Sequence, residues 1–206
     1  MDNSESALRR NETLQFIRNR RSVRLFLDKP VSDIDLYTIL QAANQAPSAH
    51  NQQPWRFIVL KGKRKDELVD FICSKAGSFP KASAVLLRLA SRSIASAPVV
   101  IAVANTGGLI SRGTELFKAD KDTAHDFFRI MEIQSSSAAV QNLLIAAASL
   151  GLFTVWLGVL VLIKNDIMKF MGEPEGEFMA VIPVGYAAKL NSGPKKQPLE
   201  AVVRYL

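Results

Sequence analysis

With 206 residues, 48% of them hydrophobic and 22% charged, the chain has the composition of a packed globular protein, read as one domain over residues 1–206 and not as a disordered segment. Its single cysteine, Cys73, excludes an internal disulfide, a thiolate zinc cage and an iron–sulfur cluster, and points to a reducing, cytoplasmic setting. Lys and Arg number 26 against 19 Asp and Glu, and the resulting charge of +7 favours anionic ligands, among them a phosphate-bearing cofactor, RNA or an acidic membrane surface.

Met1 to Arg10 is polar and mixed in charge, without the apolar stretch of a secretory signal. A first helix is expected over Asn11 to Arg20. A second starts at Ser32, a capping residue with Asp35 three positions on, carries Leu36, Ile39, Leu40 and Ala43 at helical spacing, and closes before Pro47. Arg56 to Leu60 reads as a strand, Lys63–Ala76 and Lys81–Ala95 as helices, and Val99–Ala104 as an apolar strand introduced by Pro98. Asn105 to Asp122 is the least regular stretch. A long helix then covers Ala124 to Leu150, followed by a strand at Phe153–Leu157, a short helix at Asn165–Met171 and a strand at Phe178–Tyr186. The tail from Lys189 is basic, and its course suits packing across another element or subunit.

Ser135 to Ile163 contains no charged residue, and its second half has the length of a membrane span. Gly151, the strand-like Phe153-Thr154-Val155-Trp156 and Gly158 interrupt it, so it reads as a buried helix followed by a buried strand.

Few residues suggest chemistry directly. His50 and His125 are the only histidines, and neither has a second ligand at metal spacing, so no metal site is expected. Cys73, within Leu68-Val69-Asp70-Phe71-Ile72-Cys73, reads as a small buried filler on a helix. No G-x-S-x-G elbow, phosphate-loop lysine motif or G-x-G-x-x-G after a strand is present. Arg20-Arg21-Ser22-Val23-Arg24 sets three guanidinium groups around one hydroxyl, a composition suited either to a phosphate monoester or to a solvated helix C-terminus. Pro47-Ser48-Ala49-His50-Asn51-Gln52-Gln53-Pro54 crowds carboxamides between two prolines, suited to the edge of a heterocycle or to a self-bonded turn. The cations Lys61, Lys63, Arg64 and Lys65 have no aromatic residues set among them, which argues against a base-stacking RNA surface.

Together, Arg20–Arg24, the segment Pro47-Ser48-Ala49-His50-Asn51-Gln52-Gln53-Pro54-Trp55-Arg56-Phe57, Ala139-Val140-Gln141-Asn142-Leu143-Leu144 with Gly151-Leu152 and Trp156-Leu157-Gly158, and Pro198-Leu199-Glu200 resemble, in order and spacing, the FMN-dependent nitroreductase family. The resemblance implies an α+β fold with a central, mostly antiparallel sheet flanked by helices. It also implies an intertwined homodimer with FMN at the interface, the uncharged helix buried there and the tail reaching across to the partner. NAD(P)H would be the electron donor and a nitroaromatic or quinone the acceptor, by hydride transfer through flavin N5. No membrane or nucleic-acid partner is implied. A flavin carrier or sensor without turnover is one alternative, and a basic anion- or RNA-binding module is a second.

Carried over by position, the resemblance assigns the cofactor to Arg20, Arg21, Ser22 and Arg24, with Lys196 also toward the phosphate. Pro47, Ser48, Ala49 and Asn51 of the second subunit would lie against the ring, and a backbone N–H near Leu157, Gly158 and Val159 would approach N5. No side chain is implied as a catalytic acid, the chemistry resting with the flavin. The chain departs from the family pattern at Phe153, where glycine is common, at Ser135, where an acid is common, and at Lys196, where arginine is usual.

Overall fold

Side-chain caps at Asn11 and Ser32 start the first two helices close to where the sequence predicts them. A computed structural model describes residues 8–116, 120–173, 175–190 and 192–206. The Asn11 side chain accepts the Leu14 N–H and opens α1 (Glu12–Asn19), and the Ser32 hydroxyl accepts the Asp35 N–H at the head of α2 (Asp33–Asn44). Strand β1 (Trp55–Lys61) leads into α3 (Gly62–Ala76) and α4 (Lys81–Ser96), and β2 (Val99–Asn105) follows. Next come α5 (Gly108–Leu116), the long α6 (Lys121–Ser149), a two-residue β3 (Phe153–Thr154), a 3₁₀ turn (Gly158–Ile163), α7 (Lys164–Met171) and β4 (Glu177–Gly185).

The sheet order is β1-β2-β4-β3, and every pair is antiparallel. Trp55 stands opposite Asn105 and Asn105 opposite Glu177 at one end; Lys61 stands opposite Val99 and Val99 opposite Val184 at the other. Both faces are covered, which is why β2 is buried along its whole length and carries an unbroken apolar run. Val99, Ile101 and Val103 pack with Ala180, Ile182 and Val184 under α2 and α6. Val100, Ala102 and Ala104 pack with Val181 under α3, α4 and α7. The result is the α+β arrangement expected, a central antiparallel sheet between helical layers.

Four readings change. The strand foreseen at Phe153–Leu157 stops at Thr154, because from there the chain turns toward the 3₁₀ segment, with the Leu157 N–H still bonded to the Val181 carbonyl of β4 at 3.0 Å. The stretch read as irregular contains α5. Cys73 is exposed, not a buried filler: α3 buries Leu68, Ile72 and Ala76, and Cys73 lies off that stripe, 3.3 Å from the Ser91 hydroxyl. The uncharged half of α6 is explained largely within the chain, since Ala139, Val140, Leu143, Leu144 and Ala147 fill the core beneath it. Among the described residues no helix is long and apolar enough to cross a membrane.

One acidic residue sits on that buried face. Glu132 of α6 is fully buried and accepts the N–H groups of Leu109 at 2.8 Å and Gly107 at 3.2 Å, with Ile110 as a further backbone donor, and so caps the first turn of α5. Farther along, Gly113 of α5 lies so close to the Phe128 ring that a Cβ would overlap it.

Leu143→Ala is expected to lower the unfolding free energy by about 2–5 kcal/mol in denaturant titration, since the side chain is fully buried between helix and sheet. Glu132 gives a pH-dependent counterpart. Burial, reinforced by nearby Glu177, holds its carboxyl above the ordinary glutamate value of 4.5 against the pull of the backbone donors. The folded chain therefore binds this proton more tightly than the unfolded chain. Its contribution to stability is complete below the unfolded value and declines as pH rises through the folded one. Melting curves of wild type and Glu132→Gln should accordingly shift in the variant's favour as pH is raised above 4.5.

Candidate functional site

Chain direction at the β3 edge places the first group of candidate residues. Arg20 closes α1, and the chain then runs extended beside β3, with Ser22 bridged in parallel to Thr154 and the Val23 N–H on the Thr154 carbonyl at 3.0 Å. That pairing turns Val23 inward and leaves Ser22 and Arg24 exposed on alternate positions. Among the described residues no acidic side chain pairs with Arg20 or Arg24. Arg21 differs: its guanidinium donates to the carbonyls of Arg18 at 2.7 Å and Arg20 at 2.9 Å, closing the helix end.

The same edge carries two further candidates. Leu157 is buried, with its N–H given to Val181, whereas Gly158 and Val159 open the 3₁₀ turn. Their N–H groups precede the first bond within that turn, and no side chain caps them. The tail also comes here. A Cβ on Gly193 would stand 2.9 Å from Arg21 Cδ and Nε, so the chain crosses that guanidinium three residues before the exposed Lys196.

Pro47, Ser48, Ala49 and Asn51 lie elsewhere. They lead into β1 at the Trp55–Asn105–Glu177 end of the sheet, where the Ala49 N–H donates to the Ser135 hydroxyl at 3.1 Å. At ~3.3 Å per residue along strands and ~4.8 Å between them, Trp55 and Thr154 stand roughly 25 Å apart. The two groups therefore occupy opposite corners of one protomer.

This second segment is a strained, self-bonded loop. His50, Asn51 and Gln53 all have left-handed backbone, with φ of 50°, 54° and 48°. Ser48 Oγ accepts the Gln53 N–H at 3.0 Å, and Asn51 Oδ1 accepts from the Gln53 amide at 3.2 Å. Trp55 Nε1 donates to Asn44 at 3.0 Å and anchors the exit. Beside the loop, Pro47, Ser48 and Ala49 line an open depression of about 330 Å³ with Met131, Gln134, Ser135 and Ala138 of α6. Ser135, one of the departures noted above, has a structural role here, its hydroxyl donating to the Met131 carbonyl and accepting the Ala49 N–H.

Sequence reading missed Met131, Gln134 and Ala138 on the α6 side of this depression, and the buried Glu132 next to Met131 in the chain. A signal existed, because Glu132 falls on the stripe of Ala124, Phe128, Ser136, Ala139 and Val140, which is buried at helical spacing. The basic cluster, in contrast, is largely engaged in local structure. Lys61 pairs with Asp33 at 2.6 Å, Arg64 with Glu67 at 2.9 Å while lying over the Phe170 ring, and Lys65 donates to the carbonyls of Ala95 and Ala97 at the end of α4.

Comparison with known proteins agrees with this architecture. Residues 17–186 match the model of the nitroreductase family. A protein of Archaeoglobus fulgidus provisionally named NADH dehydrogenase/NAD(P)H nitroreductase is 32% identical over 180 residues, covering 85% of each chain. A provisionally assigned nitroreductase of Desulfovibrio desulfuricans, solved in complex with FMN, superposes with a TM-score of 0.67 at 28% identity, over 95% of this chain and 97% of that one. The nitroreductase CinD of Lactococcus lactis shares the fold with a TM-score of 0.78 at 21% identity, over 95% and 100% of the two chains. With most of its length under the family's model and the same course of helices and strands as its solved members, this chain belongs to the nitroreductase family.

Proposed function

We propose that the protein is a homodimeric, FMN-dependent oxidoreductase that draws electrons from NAD(P)H and passes them to a small planar acceptor such as a nitroaromatic or a quinone. The observation that carries this reading is the donor set along the β3 edge. Among the described residues Arg20 and Arg24 have no acid partners, and the uncapped N–H groups of Gly158 and Val159 open the neighbouring turn. Such a set suits a ligand with an anionic tail and a heteroaromatic head.

The residues present fit FMN. Arg20 and Ser22 would hold the phosphate, with Lys196 of the tail adding a point charge where a guanidinium would add a fork. Arg21, spent on carbonyls, would fix the helix end from which Arg20 projects. Arg24 would face the N1/C2 carbonyl edge, where a fixed cation favours negative charge accumulating on the ring. The N–H of Gly158 or Val159 would donate toward N5 and orient the ring. When bound, FMN supplies the two-electron chemistry, accepting hydride from the nicotinamide and passing electrons to the acceptor.

Pro47, Ser48, Ala49 and Asn51 would complete the site from the second copy. Within one protomer the loop leads into the β1 edge while Ser22 lies beside β3 at the other edge of the sheet, which favours two copies sharing each flavin. A two-fold arrangement does this by bringing one protomer's loop to the other's β3 edge. The exposed apolar tail residues Leu199, Val202 and Val203 would then be covered by the partner. Among the described residues no charged side chain lines the depression beside the loop, which leaves planarity and stacking as the main test of an acceptor.

Three outcomes check this reading. Purified protein should show bound-flavin absorption in the visible and oxidise NAD(P)H when a nitroaromatic or quinone is added; colour without oxidation would indicate a carrier. Arg20→Ala should weaken FMN roughly tenfold to a hundredfold while changing riboflavin affinity little, as titration by flavin fluorescence would show. Dilution that converts dimer to monomer should release the flavin, measured by sedimentation with detection at the flavin band.

A further inference from the structure

We propose that Glu132 is a positioning residue for the acceptor: its buried carboxylate ties the head of α5 to α6 and thereby sets the wall behind the depression beside Ala49. This rests on the functional reading just given.

Both oxygens of Glu132 act as acceptors, Oε1 from the Leu109 N–H and Oε2 from the Gly107 N–H, which is the pattern of an ionised carboxylate on a helix head. The carboxylate comes from another element, 23 residues beyond Leu109, so it fixes tertiary placement as well as capping. What it places is Leu109, buried against Ala124 and Phe128. Ala49 and Met131 pack against that small cluster, and both also line the depression. The wall an acceptor would meet is thus backed by a helix whose first turn depends on one side chain.

Burying a carboxylate is costly, and among the described residues no cation touches this one directly. Arg129, one turn before it on α6, is committed to Glu177, and Glu177 itself opposes ionisation of Glu132. On the β2 side stands Asn105, whose oxygen is held by the Ser136 hydroxyl and whose amide nitrogen has no partner among the described residues. A contact retained against this cost, in a place where a leucine would pack, points to placement of α5 and not to gain in core stability. The flavin-side loop has its own anchors, the Ser135 hydroxyl on Ala49 and Ser48 on Gln53, and so does not depend on Glu132.

The test compares flavin-loaded wild type, Glu132→Ala and Glu132→Gln in steady-state kinetics with a nitroaromatic and a quinone. Glu132→Ala should raise the acceptor KM about tenfold with kcat and flavin occupancy within about twofold, and Glu132→Gln, which keeps one acceptor oxygen, should recover part of the loss. Unchanged kinetics, or a parallel fall of kcat, flavin occupancy and melting temperature, would overturn the proposal. Should the variants fail to fold, hydrogen exchange on the wild type decides: the amides of Gly107, Leu109 and Ile110 should open together and apart from those of β2. Exchange of these amides only with β2, by global unfolding, would refute a separately held α5. Because exchange requires no turnover, a protein that binds no flavin would defeat the functional reading and leave this measurement standing.

Discussion

The burial of α6 against the sheet is the contact from which the rest of the molecule takes its shape. Its inner face carries Ala139, Val140, Leu143, Leu144 and Ala147 onto Val99, Ile101, Ile182 and Val184, and removing that much apolar surface from water supplies the main force holding the layer in place. The same face carries Glu132, Ser135 and Ser136 at the Asn105 end of the sheet. Each of those polar groups is given a partner on a different segment: the head of α5, the loop at Ala49, and the end of β2. A single rigid element thus packs the core and sets the loops around a depression, so that loop geometry is inherited from helix packing and not from the loops' own preferences.

The antiparallel sheet adds a second constraint. Because β1 and β3 are its two edges, the loop entering β1 and the segment paired with β3 are separated by the whole width of the sheet as well as by most of its length. Nothing in one protomer can fold these together without breaking the central β2–β4 pairing. The physical consequence is that the two groups of candidate residues lie at different edges of the sheet, one with cations and uncapped backbone donors, the other with left-handed backbone and carboxamides.

Local strain and local capping mark these corners. Three non-glycine residues in left-handed conformation between Ser48 and Pro54 are held by the Ser48 and Asn51 side chains, a cost sustained only where the surroundings over-determine the backbone. Arg21 spends its guanidinium on helix carbonyls while its neighbours Arg20 and Arg24 find no acid among the described residues, so like side chains a few positions apart serve different ends. The tail crosses over Arg21 at Gly193, a proximity that the length of the intervening chain conceals.

Residue order alone was enough to read most helices and strands. The caps at Asn11 and Ser32 and the apolar run of β2 are decided by neighbours within four residues, or by hydrophobic patterning that any buried strand must show. Motif order was also enough to point to the nitroreductase family. What patterning could not decide was where long-range partners end an element or satisfy a polar group. The short β3 and the engagement of Lys65 with the end of α4 both depend on segments distant in the chain. Glu132 is the clearest case: as a letter in a helix it is one charge among many. Only packing of α6 on the sheet takes it out of water and leaves the backbone of α5 to solvate it.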